Sequence, residues 1–384
     1  MTPARLIIAM FLTFVLSAAG VMGDDRLVTL TRKSTAADSA QSPEQLTGRI
    51  VTTAADGSVL LETRAGVLHQ LRPETFSIDA VDSDRPFTKF DTDELSAELL
   101  RLTGDGFRIQ QTQHFVLCSS ASELYTSYCG RLLERVADEF ERLFRDGQVK
   151  LTPLNHPLPV IIFREPVMFQ EFAAKQHPDV SFTDVPGYYS VRDNQMLIAA
   201  VSGDRDFHTN SDVLRELKKR PRQVETIVHE AVHQLCFNSG LMVRYAETRL
   251  WLAEGLAVYF EPIGRGGSLV WNRPGAPSSI HLPGFKTATA SGRFQVPIHD
   301  LLTSDDAFSN SETVAAAYAE AWAVTWYLLR HHRDRFDQLM KLEQQRQPLT
   351  GISADRRQQE ARQITGPEAA AFEQTVIQSM SRVK

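Results

Sequence analysis

The segment Val224 to Gly240, VETIVHEAVHQLCFNSG, carries two histidines four residues apart, with a glutamate directly after the first. On an α-helix, residues at i and i+4 share a face with Cβ atoms about 5–6 Å apart. The imidazoles of His229 and His233 can then converge on one cation at Zn–N distances of about 2.0–2.1 Å. Glu230 projects about 100° around the helix from His229. That keeps it off the ion but beside it, where a carboxylate can take a proton from a bound water. The rest of the circumference is filled by Val224, Ile227, Val228, Ala231, Val232 and Leu235, so the helix is buried and its histidines need partners.

His-Glu-x-x-His is short and recurs by chance, so a third ligand decides between a metal site and an ordinary buried helix. Glu254 supplies it, separated from His233 by twenty residues, in WLAEGLAVYFEP. A carboxylate in such an apolar helix is costly unless it is paired or ligates a metal. Two histidines and one glutamate leave a fourth tetrahedral position open, the pattern of a catalytic zinc. The expectation is one Zn2+ per chain, held by His229, His233 and Glu254, with Glu230 as the catalytic base and no organic cofactor. Gly255, next to the ligand, predicts close packing of this helix against the first. Cys236 lies one turn beyond His233 and reads as a small buried thiol.

The elements that must position these residues are also legible. Pro221 suits the first turn of a helix, and Gly240 suits its left-handed end. Upstream, HFVLCS and Leu158–Phe163 read as buried strands. Glu123–Phe144 has helical apolar spacing, and Pro166 opens another helix. GYYSVRDNQMLIAA reads as a hairpin turning at Asp193-Asn194. Tyr188 and Tyr189 alternate faces there, and the hairpin is expected to border the cleft, where an extended peptide can add as a strand. After the metal helix the chain reads as helical, with a loop-rich insert from Pro262 to about Pro297.

His229-Glu230-x-x-His233 followed by Trp251-Leu252-Ala253-Glu254-Gly255-Leu256-Ala257-Val258-Tyr259 resembles the gluzincin branch of metallopeptidases, peptidase clan MA. Within it, the chain is most similar to an exported bacterial group called domain of unknown function 1570, with matching motifs over about residues 113–335. The resemblance implies peptide-bond hydrolysis by a zinc-bound water activated by Glu230. It also implies a tyrosine near the zinc on a later helix; Tyr318, in AYAEAWAVTWYLLRHH, is the match, as donor to a developing oxyanion. Glu320 is placed to pair with it or with a histidine. Thermolysin-type members carry an aspartate four residues after the glutamate ligand. Val258 stands there in this sequence, and Glu261, one turn on, is the residue left to support the ligands.

The chain has 384 residues, 42% hydrophobic and 23% charged, with a net charge of −6 and no basic block. These are globular proportions, and they argue against nucleic acid as a partner. Residues 1–23 read as an export signal: Arg5, an apolar run from Leu6 to Leu16, then small residues. The run is short for a membrane span, so the expectation is a periplasmic or extracellular protein with no stable span after signal removal. Residues 24–45 read as a flexible lead-in, 46–80 as a small β-barrel-like module, 81–105 as a linker with one short helix, and 106–384 as the catalytic domain. The fold class expected is α+β, a short mixed sheet plus a helical lobe behind the β module. Cys118 and Cys129 either pair or lie as buried thiols, and Cys236 is left over. The partner expected is a peptide or protein substrate. Two other functions fit the same residues: a non-enzymatic binding protein on a peptidase-like fold, and a zinc hydrolase of non-peptide substrates.

Overall fold

The computed structural model describes residues 21–22, 26–33, 45–183, 185–200, 207–264 and 269–384. The export signal expected at 1–23 lies outside these residues except for Val21 and Met22. The architecture is α+β: an antiparallel sheet at the N-terminal end, a mixed sheet, then a helical lobe. Among the described residues no helix is long and apolar enough to cross a membrane.

The first sheet contains β1 (Val21–Met22), β2 (Arg26–Arg32), β3 (Gln45–Thr53), β4 (Val59–Thr63), β5 (Leu68–Leu71) and β6 (Phe76–Pro86). Its order is β5-β4-β3-β2-β6, with β1 also on β3. Two expectations are corrected here. Arg26–Arg32 is a strand and not part of a lead-in: Val28 and Leu30 alternate with polar residues and bury themselves on one face with Leu46, Leu61 and Phe76. Among the described residues β5 and β6 do not pair with each other, so the sheet stays open where a barrel was expected.

The module docks on the rest of the chain. Leu68 N donates to Arg192 O across 2.8 Å, and Leu60 and Leu68 pack with Tyr245 and Leu349. Glu62 is ringed by Arg49, Lys89 and Arg244 at 2.8, 3.2 and 3.6 Å. Burial works against its charge, but Lys89, Arg244 and Arg49 together hold its carboxyl down to about 2. The segment between this module and the mixed sheet carries α1 (Thr92–Thr103), started by an Asp91–Glu94 capping box.

The mixed sheet has the order β10-β11-β9-β8-β7. Here β7 is Arg108–Gln111, β8 Phe115–Ser119, β9 Leu158–Phe163, β10 Gly187–Ser190 and β11 Gln195–Ala199. The inner strands β8, β9 and β11 run parallel, with antiparallel strands outside. The inner strands read as unbroken apolar runs because both faces are covered. One face carries α1 and α3 (Pro166–Gln176); the other carries α2 (Glu123–Arg145) and α5 (Pro221–Asn238), preceded by α4 (Asn210–Lys219). Alternation along β8 sends Val116 and Cys118 to the first face, and Phe115 and Leu117 to the second with Cys129. The sheet therefore stands between Cys118 and Cys129, and all three cysteines are buried free thiols.

The helical lobe comprises α6 (Leu250–Phe260), α7 (His281–Ala288), α8 (Ile298–Thr303), α9 (Asp306–Ser309), α10 (Val314–His331), α11 (Arg333–Gln344), α12 (Ala354–Thr365) and α13 (Ala369–Ser381). Its axis is α10, buried through Ala316–Leu328 and packed along α6. At Gly255 an added Cβ would lie 2.6 Å from Ala321 O and 2.3 Å from Thr325 Oγ1. The glycine lets α6 approach α10, a correction to the expectation that it faces α5. A sequence shows that a helix must come close to a neighbour, but not which neighbour the topology supplies.

Candidate metal centre

Two consecutive helices build the site. Pro221 starts α5, and Gly240 follows its end at φ +69, the left-handed conformation in which glycine carries no steric cost. The apolar face of α5 lies against the mixed sheet, α2 and α6. This orients His229 and His233 toward α6, which presents Glu254. Arg249, just ahead of α6, is itself buried between Glu343 and Glu360 and anchors that helix's start to α11 and α12.

The ligand atoms of His229, His233 and Glu254 all lie within 4.8 Å of one another, and among the described residues no other three acidic, histidine or cysteine side chains meet that test. His233 Nε2 is 3.0 Å from His229 Nε2. Glu254 lies across both rings, Oε2 at 3.1 Å from His229 Nε2 and Oε1 at 3.4 Å from His233 Nε2. Tetrahedral coordination at about 2.0–2.1 Å places neighbouring ligand atoms about 3.3 Å apart, so the three donors have the spacing of a zinc site. Glu254 Oε2 is buried with no hydrogen-bond partner, although His229 Nε2 is within reach. The two atoms are close without being aimed at one another, as donors are when they converge on a third body.

The electrostatics favour positive charge at that point. Burial acts against a charged His229, yet the carboxylates of Glu254 and Glu261, one beside each ring nitrogen, push its pKa up to about 10. Burial acts against Glu254, yet His233 and His229 hold it below the usual carboxylate range. One buried carboxylate facing two imidazoles forms a donor set suited to a divalent cation.

Glu261, the residue left to replace the aspartate missing at Val258, reaches the site. Its Oε1 lies 2.7 Å from His229 Nδ1. A hydrogen bond donated from Nδ1 fixes the tautomer and turns the Nε2 lone pair toward Glu254 and His233. Glu230 points elsewhere: Tyr189 N, on the outer strand β10, donates to its Oε2 across 2.8 Å. Burial pushes the Glu230 carboxyl up, which suits a group that must accept and release a proton near neutrality.

Tyr318 is also brought in. It is buried on α10 with its ring 6.5 Å from that of His229 and 5.6 Å from Phe308. Glu320 is not: its carboxylate accepts from Gln295 N at 2.6 Å and Val296 N at 3.1 Å, stapling the end of the insert to α10. On β10, Tyr188 packs into the α3 side and Tyr189 stacks on Phe237. Both are buried, so the strand borders the site through its backbone. Sequence reasoning missed His281, whose Nε2 is 3.4 Å from Glu261 Oε2, and the Tyr189 backbone donor. Neither carries a spacing signal, because the fold alone makes them neighbours of the site.

Residues 223–350 match the model of a family described as protein of unknown function (DUF1570). The matched stretch contains His229, Glu230, His233, Glu254, Glu261 and Tyr318. No curated protein matches the chain.

Proposed function

We propose that the chain is an exported zinc-dependent metallopeptidase of gluzincin type. The observation that carries this reading is the convergence of His229 Nε2, His233 Nε2 and the Glu254 carboxylate at separations of 3.0–3.4 Å. A zinc ion held there would supply Lewis acidity at neutral pH. Glu230, whose Oε2 accepts from Tyr189 N, is the group proposed to take a proton from the attacking water and return it to the leaving amine. Tyr318 is the donor proposed for the developing oxyanion. Strand β10 supplies the sheet edge beside which an extended peptide would lie. Export rests on the sequence of residues 1–23.

The test has two parts. The purified chain should hold about one zinc and cleave members of a broad peptide library. Glu230→Gln should abolish cleavage with the zinc retained; turnover in that variant would remove Glu230 as the base. A zinc-loaded wild-type chain that cleaves no peptide would favour a binding protein or a hydrolase of other substrates.

A further inference from the structure

We propose that Asn194 is a positioning residue that sets the place of Glu230 through Tyr189. The inference rests on the metallopeptidase reading, in which Glu230 is the base, and adds the hairpin turn to it. Glu230, Gln234 and Asn238 are spaced four apart on α5 and form one stripe along that helix. Each of the three meets the β10–β11 hairpin. Glu230 Oε2 accepts from Tyr189 N at 2.8 Å, and Gln234 Nε2 donates to Asn194 O at 3.3 Å. The side-chain amides of Asn238 and Asn194 donate to each other, at 2.7 and 2.9 Å. The Tyr189 hydroxyl closes the frame by donating to Asn194 Oδ1 at 2.7 Å.

Asn194 stands in the turn at φ +56 and is 2% exposed. Glycine meets that left-handed conformation without steric cost. Asparagine tolerates it too, and adds an amide whose oxygen has two lone pairs. One takes the Asn238 amide and the other the Tyr189 hydroxyl. Tyr189 is thereby held at both ends, its hydroxyl on the turn and its backbone N on Glu230, with its ring stacked on Phe237 at 5.9 Å. The Tyr189 N–H can fix Glu230 only where the strand fixes Tyr189, and the amide pair ties that strand to the helix carrying Glu230. Gly66, between β4 and β5, lies against this pair: a Cβ added there would stand 3.3 Å from Asn194 Nδ2. The N-terminal sheet thus covers the clamp.

The experiment uses the full chain as wild type, Asn194→Gly, Tyr189→Phe and the double variant. It measures hydrogen exchange of the backbone amide at position 189, zinc content, and kcat and KM on a peptide that the wild type cleaves. Asn194→Gly keeps the backbone conformation of the turn and removes only the amide. It should speed exchange at position 189 by about 10-fold and lower kcat by about 10–100-fold, with KM and zinc content unchanged. Tyr189→Phe removes the same tether and should act alike, and the double variant should lose no more than either single one. Wild-type exchange and kcat in Asn194→Gly, losses that multiply in the double variant, or exchange speeded evenly along the whole chain would overturn the assignment. A wild-type chain that cleaves no peptide would defeat the metallopeptidase reading, and exchange at position 189 would still decide whether Asn194 holds the Tyr189 amide in place.

Discussion

Gly255→Ala puts the packing that delivers Glu254 to a test whose sign is decisive. Gly255 is in the interior of α6, where alanine is intrinsically better than glycine by about 1 kcal/mol. On propensity alone the variant gains stability. The structure requires the opposite, because the new Cβ would stand 2.6 Å from Ala321 O and 2.3 Å from Thr325 Oγ1. Ordinary contact between such atoms begins near about 3.4 Å. Thr325 can rotate away, but the Ala321 carbonyl belongs to the backbone of α10 and cannot. The helices must therefore separate by about 0.8 Å at this point, or the contact stays compressed. Overpacking of this kind costs about 1–3 kcal/mol. A rigid carbonyl as the obstacle places it at the upper end, leaving a net loss of about 2 kcal/mol. Because Glu254 is the adjacent residue, zinc affinity should fall as well. Denaturant unfolding with chelator present isolates the packing effect: the midpoint should drop with the slope unchanged. Thr325→Ala should relieve part of the loss and no more. A Gly255→Ala chain as stable as wild type, or more so, would refute the reasoning.

Three further outcomes follow from the geometry. Burial pushes the Glu320 carboxyl up to about 8 from its ordinary 4.5. The folded chain thus holds this proton more tightly than the unfolded one, and the associated stability is present below about 4.5 and lost as pH rises through 8. Between those values wild type should lose up to about 1.4 kcal/mol per pH unit, and Glu320→Gln should flatten that slope in denaturant midpoints; equal slopes would exclude Glu320. Glu62 is the reverse case, held at about 2, so its contribution is present above about 4.5 and lost as pH falls toward 2. Glu62→Gln leaves Arg49, Lys89 and Arg244 without their shared anion, a loss of about 3 kcal/mol read at neutral pH, and it should erase the acid limb that Glu62 supplies in wild type. Tyr318→Phe should lower kcat by about 100-fold with zinc content and KM unchanged; an unaltered kcat would remove Tyr318 from the proposed chemistry.

The candidate metal ligands were legible because helical spacing is a local property. His229 and His233 share a face by arithmetic, and a carboxylate in the apolar run around Glu254 demands an explanation that the histidines provide. Glu261 was legible for a related reason: the expected support position was occupied by Val258, and the next acidic residue on that side was one turn away. The strands Leu158–Phe163 and Gly187–Ala199 were visible as apolar runs and a hairpin. What depended on distant pairing was not. Arg26–Arg32 looks like a polar lead-in until β3 and β6 flank it. Whether Cys118 and Cys129 pair or lie as separate thiols is open until the sheet is placed between them. His281 sits in an insert without periodicity, and only the packing of α7 against α10 returns it to Glu261.

The contact between Tyr189 N and Glu230 bears on how anything could lie along β10. That strand is the outermost of its sheet, so among the described residues no neighbouring strand takes its outward-facing amides and carbonyls. One of these amides is already taken, by the side chain that the proposed chemistry needs most. An incoming chain must align on the groups above and below it, and this occupied step fixes the frame in which a ligand's backbone is read.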